Sequence, residues 1–297
     1  MDSPHGAAVK AEDFGLKGPR GWAFRGVGID AAPGSLIAVE GPSGSGRTCL
    51  LLALTGRMKP TRGHAEVGGH HLPKRMTAVR RITALGPVSG VNELDQALTV
   101  AEQLREGALL QRHYGAPVRA MLRPRAERRA AAEARIAAAL EAAGLDLAAL
   151  PKGERTSVRD LERLEAVRLS VAIALLGSPG LLALDDLDLK LSDTERVEAW
   201  DLLRSVAGRG ITVLAVCSEA PADAIVLRTS PKEPDAPDAP DASDTPAVAE
   251  SDADAEADAE ADAEADGGSE TDTKTDTKTE NDDTKGADDA LAEAGRA

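Results

Sequence analysis

The chain has 297 residues, of which 29% are charged, 42% hydrophobic and 2% aromatic, and its formal net charge is −15. Residues 231–297 carry 23 acidic and 5 basic side chains, whereas residues 1–230 carry 27 acidic and 30 basic. A body so close to neutral excludes a basic nucleic-acid-binding domain, and no run approaches the roughly 20 apolar residues that span a bilayer. The first residues, MDSPHGAAVKAEDF, hold no apolar core of an export signal. Cys49 and Cys217 both fall in predicted buried elements, which reads as reduced thiols in a cytoplasm. Residues 1–34 form a β-rich approach in which Trp22, Phe24, Val27 and Ile29 lie on or near alternate positions. Trp22 is either core or a platform on which a purine stacks.

Pro33-Gly34 turns the chain into Leu36-Ile37-Ala38-Val39, short and apolar enough for a buried strand. Gly41-Pro42-Ser43-Gly44-Ser45-Gly46-Arg47-Thr48 follows, and Cys49-Leu50-Leu51-Leu52-Ala53-Leu54 opens a buried helix. Strand, glycine loop and helix are the context of a phosphate-binding loop. Its glycines let successive N–H groups face phosphate oxygens, and the helix N-terminus adds partial positive charge. Thr48 is placed to put its hydroxyl on Mg²⁺. The usual pattern ends Gly-Lys-Ser/Thr, so Arg47 is a departure, cationic but bulkier and planar.

Gly56 stops the helix, and Lys59 to Gly63, then Ala65 to Gly69, read as turn, short strand, turn. Here the order of residues resembles the nucleotide-binding subunit of ATP-binding-cassette (ABC) transporters, from about Gly21 to Thr229. The second match is Gly180-Leu181-Leu182-Ala183-Leu184-Asp185-Asp186, an apolar strand ending in acid. It looks like the Walker B segment, which implies that Asp185 holds Mg²⁺ through water. The family's next residue is a glutamate that orients the attacking water. Asp186 stands there, one methylene shorter, which implies slower hydrolysis.

Other family positions depart further. The signature Leu-Ser-Gly-Gly-Gln is replaced by Leu161-Glu162-Arg163-Leu164-Glu165. The missing glycines are those that let a backbone approach a phosphate held by the other subunit. Ser157 and Asp160 resemble a capping box, so the helix is expected to start there and absorb the signature. Arg163 is either an exposed helical arginine or a donor to a phosphate across a dimer. Gly86-Pro87 follows the expected strand Arg81 to Leu85 where the family keeps a glutamine, and Cys217-Ser218-Glu219 follows the strand Ile211 to Val216 in place of the switch histidine. Leu98-Thr99-Val100-x-Glu102-x-Leu104 matches the approach to the helical subdomain, expected over residues 99–174 with a helix from about Ala126. The cluster Arg119, Arg123, Arg125, Arg128 and Arg129 reads as a solvated face or a contact for an acidic surface. His70 and His71 are adjacent on a strand, point to opposite faces, and predict no metal site. A helix from Asp193 to Val206 is expected, capped by Ser192 and Glu195.

Residues 230–297 repeat Asp-Ala-Pro and Asp-Ala-Glu-Ala, a composition expected to stay disordered. The resemblance implies an α/β P-loop fold over residues 1–229, with a mainly parallel sheet and a helical insert. It further implies ATP and Mg²⁺ as ligands, a separate transmembrane permease chain, and a homo- or heterodimer of ATP-binding subunits at the inner face of the membrane. Two functions remain: a transport ATPase subunit, or a nucleotide-binding pseudoenzyme that regulates a membrane partner. A soluble P-loop kinase fits the insert and the Walker B distance less well.

Overall fold

The computed structural model describes residues 6–19, 21–115 and 124–230, with side chains left aside at 111–115. Except for Ser230, the acidic tail lies outside the described residues, as do Arg119 and Arg123 of the basic cluster. A hairpin of β1 (Val9–Gly18) and β2 (Gly21–Ala31) leads to β3 (Leu36–Glu40) and α1 (Arg47–Leu54). Next come β4 (Arg62–Val67), β5 (His70–Leu72), α2 (Met76–Ile82) and β6 (Thr83–Leu85). The helices α3 (Val100–Gly115), α4 (Arg125–Ala142) and α5 (Arg163–Leu175) precede β7 (Leu181–Leu184), α6 (Asp193–Gly208), β8 (Thr212–Cys217) and β9 (Ile225–Arg228).

The strands form two sheets, an antiparallel one in the order β2-β1-β4-β5 and a parallel one in the order β6-β7-β8-β3-β9. The parallel strands are apolar apart from Glu40, Thr83, Thr212 and Arg228 at their ends, because both faces of the sheet are covered. Ile37, Val39, Leu181, Ala183, Leu214 and Val216 point into one core, shared with α1 and the antiparallel sheet. Leu36, Ala38, Leu182, Leu184, Val213 and Ala215 point into the other, shared with α3, α4, α5 and α6. Each such Leu, Ile or Val contributes about 1.5–3 kcal/mol by leaving water. Leu50 to Leu54 of α1 are all buried, since that helix lies within its core rather than on the surface.

Polar caps fix where the helices begin. Thr99 Oγ1 accepts from the Glu102 amide at 3.3 Å and Glu102 Oε2 from the Thr99 amide at 2.9 Å, closing a box ahead of α3. Ser192 and Glu195 close the expected one ahead of α6. The expected helix start at Ser157 is corrected: Val158–Asp160 is one 3-10 turn, and α5 begins at Arg163, with the Glu162 amide donating to Glu165 at 2.8 Å. The reason lies in the neighbouring chain. The Val100 amide donates to the Thr156 carbonyl and the Val158 amide to Leu98, so this backbone is already engaged as a bridge and cannot open a helix. Arg81 and Ile82, read as strand, are the last turn of α2, and β6 begins only at Thr83.

Candidate functional site

The glycine loop leaves β3 at Glu40 and enters α1 at Arg47. Two of its glycines are required by geometry. Gly44 holds φ +79° and Gly46 φ +84°, in the left-handed region that L side chains avoid. A Cβ on Gly46 would also run into the Ala23 carbonyl of β2. The Ser45 amide donates to the Pro42 carbonyl at 3.1 Å, and the Ser45 hydroxyl meets Thr229 Oγ1 at 2.6 Å in a buried contact. Pro42, Ser43 and Gly44 stay exposed at the tip. Trp22 is not core: it is half-buried, with Lys17 Nζ 5.5 Å from its ring centroid.

Because β8 lies between β3 and β7, the ends of the last two strands face each other across one strand width, and Thr48 reaches Asp185. Thr48 Oγ1 donates to Asp185 Oδ2 at 2.8 Å. Asp185 is 5% exposed, and its Oδ1 is buried with no hydrogen-bond partner. Burial lifts its carboxyl above the usual carboxylate range, against the pull of the Thr48 hydrogen bond. Arg47 folds across the same strand ends. Its Nη1 donates to the Cys217 carbonyl at 3.0 Å, and its Nη2 lies 3.6 Å from Asp186 Oδ1, within ion-pair range but beyond a good hydrogen bond. Asp186 adopts φ +43°. The Cys217 thiol is buried and pushed up to about 12, so it stays neutral. Cys49, expected buried, is half-buried.

The structure places Gly41 to Thr48, Asp185 and Asp186 together, and adds residues that the sequence did not single out. Asn92 Nδ2 donates to the Leu85 carbonyl at 3.0 Å and to Gly86 at 2.7 Å, pinning the Gly86-Pro87 segment. That segment in turn lies beside β7, the Asp185 amide donating to the Pro87 carbonyl. The amide of Ser218, at the expected switch position, donates to Asp188 Oδ2 at 2.6 Å. Arg163 spends its Nε on the Leu189 carbonyl at 3.1 Å within its own chain. Ser218 and Arg163 stand at family positions already read from the sequence, whereas Asn92 does not, and no spacing rule selects it.

The family model described as ABC transporter matches residues 24–187. The chain belongs to the ABC transporter family. The curated relatives include the daunorubicin resistance ATP-binding protein DrrA3 of Streptomyces coeruleorubidus, 35% identical over 193 residues, covering 65% of this chain and 54% of that protein. The Nod factor export ATP-binding protein I of Paraburkholderia xenovorans is 30% identical over 192 residues, covering 64% and 55%. The chain thus spans about half the length of the curated relatives it matches. Its fold is shared with the dimeric structure of MJ0796, a bacterial ABC transporter cassette, at TM-score 0.57 and 20% identity over 76% of this chain and 97% of that one. The post-hydrolysis state of MJ0796 bound to ADP and Pi aligns at TM-score 0.54 and 22% identity over 71% and 88%. Among the described residues no helix is long and apolar enough to cross a membrane.

Proposed function

We propose that this chain is the ATP-binding subunit of an ABC-type membrane transport complex. In this reading it acts at the inner face of the membrane through a separate permease chain, and pairs with a second ATP-binding subunit, its own copy or a related one. The observation that carries the reading is the Thr48 hydroxyl bonded to a buried Asp185 whose second oxygen has no partner. A buried carboxylate oxygen without a donor is what a cation satisfies. Among the described residues no three His, Cys, Asp or Glu side chains cluster to cage a metal. That suits Mg²⁺, which takes one or two protein ligands and completes its shell with water and substrate phosphates. Thr48 Oγ1 and, through water, Asp185 are the groups that would hold it. When bound there, Mg²⁺ would supply positive charge to offset that of the nucleotide's phosphates. The relatives, ATP-binding proteins of daunorubicin resistance and of Nod factor export, support the same assignment.

The loop amides from Gly44 to Thr48 and the N-terminus of α1 supply the anion cradle. Asp186 is the group that orients a water against the terminal phosphate, and Arg47 is the cation for that phosphate. As it stands Arg47 is engaged by the Cys217 carbonyl and by Asp186, so binding must draw it away from both.

That engagement, together with Arg163 in place of a signature glycine, favours a second reading, a nucleotide-responsive regulator of a membrane partner without efficient turnover. Two measurements on the full chain separate the cases. Excess Mg-ATP at about 100 times its dissociation constant stabilises the fold by about 2.7 kcal/mol. A Thr48→Ala chain should lose most of that gain, and a wild type without any shift overturns both readings. Arg47→Lys should then raise phosphate release by about tenfold, since the smaller ammonium does not bridge Cys217 and Asp186. Unchanged, negligible release in both chains, with nucleotide binding intact, favours the regulator.

A further inference from the structure

At the opposite, N-terminal ends of the parallel strands lies a cleft of about 740 Å³. Its size is that of an organic-ligand site, and none of the glycine-loop residues lines it. Three arginines from three separate elements converge on it: Arg81 from the last turn of α2, Arg135 from α4, and Arg209 from the turn between α6 and β8. Among the described residues none of the three has an ion pair or a side-chain hydrogen bond, although most other arginines of the body are so engaged. Among the described residues no carboxylate lines the cleft to offset the three arginines. The rest of the wall is largely apolar, with Ala138, Leu175 and Ile211 among its members. Ser178, on the turn from α5 to β7, also lines the cleft and holds φ +48°, a conformation unusual for a serine.

We infer that this cleft is a binding site for a small organic anion, a carboxylate, sulfonate or phosphate group joined to an apolar body. The anionic group sits among Arg81, Arg135 and Arg209, and the apolar body lies against Ala138, Leu175 and Ile211. Because Arg135 belongs to the helical layer while Arg81 and Arg209 flank the strands, an anion held by all three ties α4 to the sheet. Occupancy therefore stiffens the joint between the two layers at the end of α5 remote from Arg163. The site does not depend on the nucleotide reading, as it shares no residue with the glycine loop, Asp185 or Asp186.

The probe is 8-anilinonaphthalene-1-sulfonate, an aromatic sulfonate whose fluorescence rises in apolar surroundings, titrated against the full chain. Its uncharged relative N-phenyl-1-naphthylamine is the control. Wild type should show saturable binding of the sulfonate and none of the neutral compound. The triple variant Arg81→Gln, Arg135→Gln, Arg209→Gln should weaken it by about tenfold or more, these being exposed side chains whose loss leaves the core intact. Ala138→Trp, an exposed helical position that fills the cleft, should weaken it comparably without removing charge. Sulfonate binding that neither variant alters, or equal binding of the neutral compound, overturns the assignment. Unchanged thermal midpoints in the two variants separate loss of the site from loss of the fold.

Discussion

Asp185→Asn should stabilise the protein without nucleotide while abolishing its response to Mg-ATP. Burial holds the Asp185 carboxyl above the ordinary carboxylate range, so in the window between the two values the folded state binds more protons than the unfolded one. Stability then falls as pH rises through that window, and at neutral pH the ionised group weakens the fold. Asparagine keeps an acceptor for Thr48 and removes the charge, leaving one unpaired neutral amide atom in place of an unpaired carboxylate oxygen. The gain is about 1 kcal/mol, or about 3 °C in thermal midpoint for a body of this size. The loss is larger: without the charge that a cation seeks, the roughly 2.7 kcal/mol from saturating Mg-ATP, about 8 °C, disappears. Two scans by differential scanning fluorimetry, with and without Mg-ATP, give opposite signs for one substitution. A lower midpoint for the unliganded variant, or a nucleotide shift of wild-type size, refutes the role given to Asp185.

Gly46→Ala forces an alanine to φ +84° and drives its Cβ into the Ala23 carbonyl, so it should cost about 2 kcal/mol or more and abolish the Mg-ATP shift. A midpoint within error of wild type would contradict this geometry. Asn92→Ala leaves the Leu85 and Gly86 carbonyls without their donor, at about 1–2 kcal/mol. Hydrogen exchange should quicken over residues 86–93 and leave β3 and α1 protected, whereas uniform quickening would show that Asn92 supports the whole fold rather than this segment.

The parts of the site legible in the sequence are those encoded by near neighbours. Residues 36–54 announce strand, loop and helix because an apolar run, spaced glycines and a second apolar run stand side by side. The meeting of Thr48 with Asp185 is not local: it follows from the strand order, and only the family resemblance supplied it in advance. Thr229 and Asn92 were missed because each is a single polar residue acting on atoms whose proximity no periodicity encodes. A helix start was legible where cap and helix were free to form, at Ser192. Ser157 misled because its backbone neighbours were taken by residues 98–100, a competition that capping patterns do not register. Arg81 and Ile82 run directly into Thr83-Ala84-Leu85 and were read with it as strand, and α2 claimed them instead.

β3 lies between β8 and β9, so the strand that carries the glycine loop has no sheet partner until residues 212–228 exist. Ser45 likewise finds Thr229 only at the end of the described body. During synthesis the loop therefore stays unsupported while almost the whole cassette is translated, a long-range closure of the kind that slows folding. A chain broken off shortly before β8 would contain every residue of the glycine loop, Asp185 and Asp186, yet would leave the loop's strand unpaired on both edges. The supported form of the glycine loop is thereby expected only in chains that extend through β9 and Thr229.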